Sequence, residues 1–130
     1  MADKPNIQML KKFILKDKRD RILFELESEE KRQKAFSKMS DFDFCFPREL
    51  ISADLSRNTD DEARDALLAL FGDTDAFDLV TMRVEKLLPA FQRAVDSYMN
   101  DVLIVNENNV IYVGEVECGA SEKYVLSWNG

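Results

Sequence analysis

The chain has 130 residues, of which 45% are hydrophobic and 33% are charged, and its net charge at neutral pH is −7. This length and composition indicate one soluble globular domain and argue against a disordered chain. No stretch approaches the roughly 18 consecutive apolar residues of a membrane span, and the first residues lack the charged-then-apolar order of a secretory signal. We therefore expect a single cytoplasmic domain over residues 1–130 that has no membrane partner.

Charge is distributed unevenly along the chain. Residues 1–40 have a net charge of +4, whereas residues 41–130 have a net charge of −11. We expect a basic helical section, 1–40, followed by an acidic α/β section, 41–130. Acidic surfaces repel phosphate groups, so the overall charge argues against nucleic-acid binding except through the basic section.

Apolar residues in the basic section recur every three or four positions, which is typical of amphipathic helices. The pattern predicts three helices that begin near Pro5, Asp17 and Ser28. Ser28 is the expected N-cap of the third helix, because its hydroxyl can accept a hydrogen bond from an amide of the first turn. The inward residues of that helix are expected to be Ala35, Phe36 and Met39.

The acidic section begins with an alternation of apolar and acidic residues over 42–46, which predicts an edge strand over about 44–51. A capping box follows, since the Thr59 hydroxyl can accept from the Glu62 amide while the Glu62 side chain reaches back. The spacing then predicts a helix that stops at Gly72.

The remaining residues predict a strand, a helix and a closing meander. A short apolar run at 77–82 indicates an inner strand, and a helix is expected over about 89–99 with Pro89 at its first position. Alternating residues predict antiparallel strands at 102–105, 110–116 and 124–128. The expected fold class is α+β: N-terminal helices, then β-α-β-α and a three-stranded antiparallel meander, with the helices packed on one mixed or antiparallel sheet.

The sequence lacks the residue sets of common catalytic and metal sites. It has no histidine and no glycine-rich phosphate loop. Cys45 and Cys118 lie far apart in the sequence, so we expect two buried, reduced thiols unless the fold brings them together as a disulfide. We expect no catalytic residues, no metal ion and no cofactor, and these absences disfavour enzymatic activity.

Two acidic segments are candidate contacts for a basic partner. They are Asp60-Asp61-Glu62 and Asp73-Thr74-Asp75. Neither segment has the alternating ligands, central glycine and terminal glutamate of a calcium loop. We expect their carboxylates to be solvated acids at a helix start and in a loop.

A third candidate group comprises Tyr112, Glu115 and Glu117 on the predicted middle strand of the meander. Paired carboxylates can act as acid and base without histidine, provided that burial raises the pKa of one of them. The pattern allows two interpretations. Either the glutamates form an exposed acidic strip, or Glu115 is half-buried against an arginine in a small-ligand site.

The basic patch of Lys18, Arg19 and Arg21 also allows two interpretations. It could bind phosphate, nucleic acid or an acidic protein. It could instead be the solvent face of amphipathic helices, paired with acids of the same helices. The second interpretation is favoured because no aromatic residues are interleaved in the sequence for base stacking.

Several segments resemble a family of small bacterial proteins of unknown function. They are residues 16–21 (KDKRDR), 41–43 (DFD), 111–115 (IYVGE) and 123–126 (KYVL). The resemblance implies a charged helix, then β-α-β-α, then a meander with an aromatic Gly-Glu strand. The chain departs from that pattern by an insertion of residues 116–119, and the family has no established activity from which a mechanism could follow.

The favoured hypothesis is a non-enzymatic protein that binds another protein, as an acidic inhibitor or immunity-type protein would bind a basic toxin or nuclease. It predicts a contiguous acidic surface and no enclosed cleft of ionisable side chains. The alternatives are a small-ligand-binding protein or enzyme that uses Glu115 and Glu117, and weak nucleic-acid contact through the basic helices. Self-association into a homo-oligomer stays open.

Overall fold

The computed structural model describes residues 4–116 and 121–129. Its strands form one six-stranded sheet in the order β1-β6-β5-β4-β2-β3, and every neighbouring pair is antiparallel. The strands are β1 (Ile51–Asp54), β2 (Asp75–Asp78), β3 (Arg83–Lys86), β4 (Asp101–Asn106), β5 (Asn109–Val113) and β6 (Lys123–Ser127).

The described residues contain six α-helices, which pack on both faces of the sheet. They are α1 (Lys4–Gln8), α2 (Lys16–Glu27), α3 (Arg32–Met39), α4 (Phe42–Cys45), α5 (Asp60–Phe71) and α6 (Leu87–Asp96), with short 3-10 turns at Met9–Phe13 and Arg48–Leu50. The α+β prediction, with helices packed on an antiparallel sheet, is therefore confirmed.

The N-terminal layer, residues 4–50, covers one face of the sheet. Its buried residues share a core with Val110 and Tyr112 of β5 and with Leu126 of β6. The other face, lined by Ile111 and Val113, packs against α5 and α6. The alternation expected along the middle strand is confirmed, because successive residues of β5 enter different cores.

This layering separates the two charge sections in space. The basic helices lie on one face of the sheet, while α5 and α6 from the acidic section lie on the other. The molecule is therefore electrically polarised across the sheet, and each layer presents its own charge to solvent.

Two boundary predictions in the first half of the chain are wrong. Residues 42–45 form a helical turn rather than the entry to a strand, because Phe42, Cys45 and Phe46 are all buried at helical spacing. The edge strand is β1, which begins only at Ile51. Ser28 ends α2 instead of capping the next helix, and α3 starts at Arg32.

The second half follows the predictions more closely. The three-stranded meander is confirmed as β4-β5-β6. The apolar run at 77–82 is not one strand, since β2 ends at Asp78 and a turn leads into β3. Helix α6 begins two residues before Pro89, which still lies in the first turn, where the missing amide hydrogen breaks no helical bond.

Candidate functional site

The predicted capping box at the start of α5 is present. The Thr59 hydroxyl accepts a hydrogen bond from the Glu62 amide at 3.1 Å, and Glu62 Oε1 accepts from the Thr59 amide at 2.9 Å. Together with Asp60 and Asp61, Glu62 places three acids in the first turn, where the helix dipole favours negative charge. These acids therefore stabilise the helix as well as charging its surface.

The outward face of α5 combines acidic and apolar side chains. Asp61, Asp65 and Leu68 follow one another at helical spacing and are all exposed. Leu68 is 46% exposed and Leu70 is 55% exposed, although large aliphatic side chains in a helix usually face the core. Leu70 lies two positions after Leu68 and therefore on another side of the helix. We call the surface made of residues 60–62, 65 and 68 the α5 surface.

Asp73 and Asp75 lie beyond the opposite end of α5. The twelve-residue helix is about 18 Å long, so these two carboxylates are not in one cluster with Asp60, Asp61 and Glu62. Lys86 Nζ lies 3.9 Å from Asp73 and 3.6 Å from Asp75, and Asp61 pairs with Arg64. The expected contiguous acidic surface is thus divided into two acidic ends with apolar residues between them.

The ion pairs of these acids do not remove their potential. Asp61 and Asp73 remain largely solvent-exposed, and pairs of this kind are weak because water screens them. Residues 59–75 hold six acids and one arginine, a net charge of −5. The helix and the loop that follows it therefore stay strongly negative.

Tyr112 is in the core and cannot contact a partner. Its ring packs edge-on against Phe42 and Phe46, and its hydroxyl donates to the carbonyl oxygens of Met39 at 2.7 Å and Ser40 at 3.2 Å. Its assignment as a binding residue is wrong, because the N-terminal layer covers that face of β5.

Of the two glutamates of the alternative site, the structure describes Glu115. It is exposed, as the interpretation of an exposed acidic strip expects, and it is not half-buried against an arginine. Glu117 lies outside the described residues, as does Cys118. Cys45 is buried and free, and burial raises the pKa of its thiol to about 12.

The basic patch has aromatic neighbours that the sequence order conceals. Lys18 Nζ lies 4.3 Å from the centre of the Phe44 ring, and the guanidinium carbon of Arg21 lies 6.0 Å from that of Phe24. Phe44 is 41% exposed and Phe24 is 52% exposed. The prediction that the patch has no aromatic residues for stacking is therefore wrong in the folded protein. Arg19 donates to the Ile14 carbonyl at 3.4 Å and is partly used within the fold.

Arg21 of the same patch is committed to a buried acid. Its Nε lies 3.2 Å from Glu25, and Lys38 Nζ lies 2.7 Å from the other oxygen of that carboxylate. Burial favours the neutral acid, but the hydrogen bond and charge of Lys38, followed by those of Arg21, lower the pKa of Glu25 overall. Arg21 is therefore paired within α2, and it is Lys38 that links the same carboxylate to α3.

The site that sequence reasoning missed is a buried pair of carboxyl groups, Asp78 at the end of β2 and Asp101 at the start of β4. The two share a hydrogen bond. Asp78 also accepts from the Val80 amide at 2.9 Å and pairs with Arg93 at 2.5 Å. Asp101 accepts from the amides of Val80 at 3.2 Å and Val102 at 2.7 Å.

The pair holds one proton at neutral pH. Burial, then the hydrogen bond and the charge of Asp78, raise the pKa of Asp101 to about 9. Burial also opposes ionisation of Asp78, but hydrogen bonds from Asp101, from Arg93 and from two backbone amides hold its pKa below the ordinary value. Two adjacent buried carboxyl groups cannot both ionise, so Asp101 is the neutral partner.

The carboxyl pair borders a half-open cleft of about 360 Å³ at one end of the sheet. Residues of α3, of the turn after β2, of α6 and of the segment before β4 line it. The cleft therefore lies where the two helical layers meet around the sheet. Ionisable side chains converge on it, but it is half-open and is not the enclosed cleft that the sequence argues against.

Within residues 4–116 and 121–129, no three Cys, Asp or Glu side chains are arranged to hold a metal ion. No described helix combines the length and the apolar character needed to cross a membrane. Comparison of the chain with protein-family models, with curated proteins and with solved structures gives no match.

Proposed function

We propose that the protein is a non-enzymatic cytoplasmic binding module whose α5 surface docks onto a basic protein, in the manner of an acidic inhibitor or immunity-type protein. The observation that carries the proposal is the exposure of Leu68 on the same face of α5 as Asp61 and Asp65. Apolar contacts at the centre of an interface and charged residues around it are the usual arrangement of protein recognition sites.

Leu68 is the main apolar contact that this surface offers. An aliphatic side chain buried on binding contributes about 1.5–3 kcal/mol, and nothing within the described part of the chain covers Leu68 more than partly. The acids alone would provide only long-range attraction, since exposed ion pairs contribute about 0–1 kcal/mol each. Both components are therefore needed for a specific complex.

The acids favour a partner whose surface is positively charged. A net charge of −5 over residues 59–75 accelerates encounter with a positive surface and repels nucleic acid and acidic proteins. The helix dipole adds negative potential at the end of α5 that leads to Asp73 and Asp75. A basic protein, rather than a neutral one, is therefore the partner that fits the charge of this surface.

The experiment compares capture by three forms of the purified protein from an extract of its native cells. The test variant carries Asp60→Lys, Asp61→Lys and Asp65→Lys, and the control carries the same change in the other layer at Asp17, Asp20 and Glu30. We expect one basic protein to be retained at low salt by the wild type and by the control variant, and to be lost from the test variant. Retention of the same proteins by all three forms, or no retention at all, contradicts the proposal.

A further inference from the structure

The geometry points to a small-molecule site in the cleft beside Asp78 and Asp101, for a carboxylic acid that carries an amino or hydroxy group and an apolar side chain. None of the lining residues belongs to the α5 surface, so this site is independent of the proposed docking function. The volume of about 360 Å³ lies at the lower end of the range for ligand pockets, which suits a molecule of amino-acid size.

Arg32 is the group that would hold the carboxylate. It is half-buried at the start of α3, and its Nε donates to the Leu26 carbonyl at 3.0 Å. That bond fixes the side chain, while the described part of the chain gives its two terminal nitrogens no acceptor. A guanidinium fork with both terminal nitrogens available is the best match among side chains to a carboxylate.

Asn100, which lines the cleft, offers an unpaired acceptor. Its amide nitrogen donates to the Phe36 carbonyl at 3.1 Å, which leaves the amide oxygen without a donor among the described residues. The Thr81 hydroxyl also has no partner there, but it is shielded from solvent, so a ligand in the cleft does not reach it. A ligand donor that pairs with the Asn100 oxygen therefore gains a hydrogen bond.

The unpaired Asn100 oxygen requires a donor on the ligand, which an amino or hydroxy group supplies. Glu29, on the rim of the cleft, adds negative charge that favours an ammonium group. Phe36, Val80 and Met99 provide the apolar part of the wall. A carboxylate, an adjacent donor and an apolar side chain therefore each have a matching group in the cleft.

The carboxyl pair shapes this site without binding the ligand. Asp78 is occupied by Arg93, by Asp101 and by backbone amides, and Asp101 by Asp78 and two amides. These bonds hold the turn that carries Val80 and Thr81 against the start of β4. Asp78 and Asp101 are accordingly positioning residues.

The probe is a matched set of four compounds: L-leucine, 2-hydroxy-4-methylpentanoate, 4-methylpentanoate and leucinamide. The first two have both the carboxylate and the donor, the third lacks the donor and the fourth lacks the carboxylate. Binding is followed by NMR through the backbone amide signals of Thr81 and Asn100. We expect at least one of the first two to bind saturably, with the third and fourth at least about tenfold weaker.

Variants assign the binding to the cleft. Arg32→Gln should weaken the binding of L-leucine or its hydroxy analogue at least about tenfold, whereas Arg57→Gln, at an exposed arginine outside the cleft, should bind like the wild type. Arg32→Lys keeps the positive charge and loses the planar fork, so it should also weaken the binding of the complete compounds.

Three outcomes would overturn the inference. One is the absence of signal changes at Thr81 and Asn100 up to about 10 mM of either complete compound, well above the range of useful affinities. Another is equal binding of leucinamide. The third is unchanged affinity in Arg32→Lys, which keeps the test decisive even where Arg32→Gln is poorly folded.

Discussion

Replacement of Asp101 by asparagine should remove a strong dependence of stability on pH. In the native protein Asp101 is 3% exposed, its Oδ1 accepts from two backbone amides, and its carboxyl group shares a hydrogen bond with Asp78. Asparagine keeps the accepting oxygen and offers an N–H to Asp78. The Asp101→Asn side chain therefore reproduces the hydrogen bonds of the neutral acid.

The size of this pH dependence follows from the proton that Asp101 takes up when the chain folds. The pKa of Asp101 is raised to about 9 in the folded protein, whereas an aspartate in an unfolded chain has a pKa of about 3.9. Between these values the native state binds more protons than the unfolded state, so the free energy of unfolding falls as pH rises, by about 1.4 kcal/mol per pH unit. From about pH 6 to about pH 8 the wild type should lose about 3 kcal/mol, and Asp101→Asn should lose almost none.

The assay is urea unfolding of both proteins across that pH interval. The pKa values of Glu25 and Asp78 are lowered, so those groups titrate below it. The interval ends near pH 8 because the Cys45 thiol, whose pKa is raised to about 12, adds its own loss of stability at higher pH. Asp96→Asn, at an exposed carboxylate, is the matched control and should keep the wild-type slope. Equal slopes for the wild type and Asp101→Asn would refute the assignment of the shared proton.

Three further substitutions test the fold by urea unfolding at neutral pH. Thr59→Ala removes the side-chain cap of α5 and should cost about 1 kcal/mol, while a loss below about 0.3 kcal/mol would mean that the capping box contributes nothing. Tyr112→Phe deletes the hydroxyl that donates to the Met39 carbonyl and should cost about 1–2 kcal/mol, whereas unchanged stability would place that hydroxyl in water. Gly72→Ala places a Cβ at φ 72° and should cost about 1 kcal/mol, and a gain in stability would show that the helix ends differently.

Local chemistry made some elements predictable from sequence. The capping box needs only Thr59 and Glu62 at the right spacing, and Gly72 ends the helix with a left-handed conformation. The meander was predictable because alternation along β5 is enforced by two cores, one on each face. In both cases the deciding interactions lie within a few residues or on one strand.

Segment 42–46 shows where periodicity is insufficient. The order Phe-Asp-Phe-Cys-Phe satisfies a two-residue repeat, but Phe42, Cys45 and Phe46 also satisfy a helical repeat. Five residues cannot distinguish the two periods, so packing against Tyr112 decides for the helix. A strand would place Phe44 on the same face as the buried Phe42 and Phe46. The exposure of Phe44 therefore also contradicts the strand interpretation.

The cleft was beyond sequence reasoning because its residues meet through the sheet. Asp78 and Asp101 lie at the ends of strands that are neighbours only through the pairing of β2 with β4. In the sequence, Asp78 and Asp101 are each a single acid within or beside an apolar run. That pattern is the signal that could have indicated a buried carboxyl group. The same limit applies to Phe44, which joins the basic patch only after α4 has packed, whereas Phe24 lies on α2 three residues after Arg21.

The most direct test of the docking proposal is the rate at which the captured basic partner associates with the purified protein. Reversal of Asp61 and Asp65 to lysine should slow association at low salt, and high salt should remove most of the difference. Leu68→Ala should instead accelerate dissociation, because it removes contact area and no charge. Association and dissociation rates that stay at wild-type values in all of these variants would contradict recognition through the α5 surface.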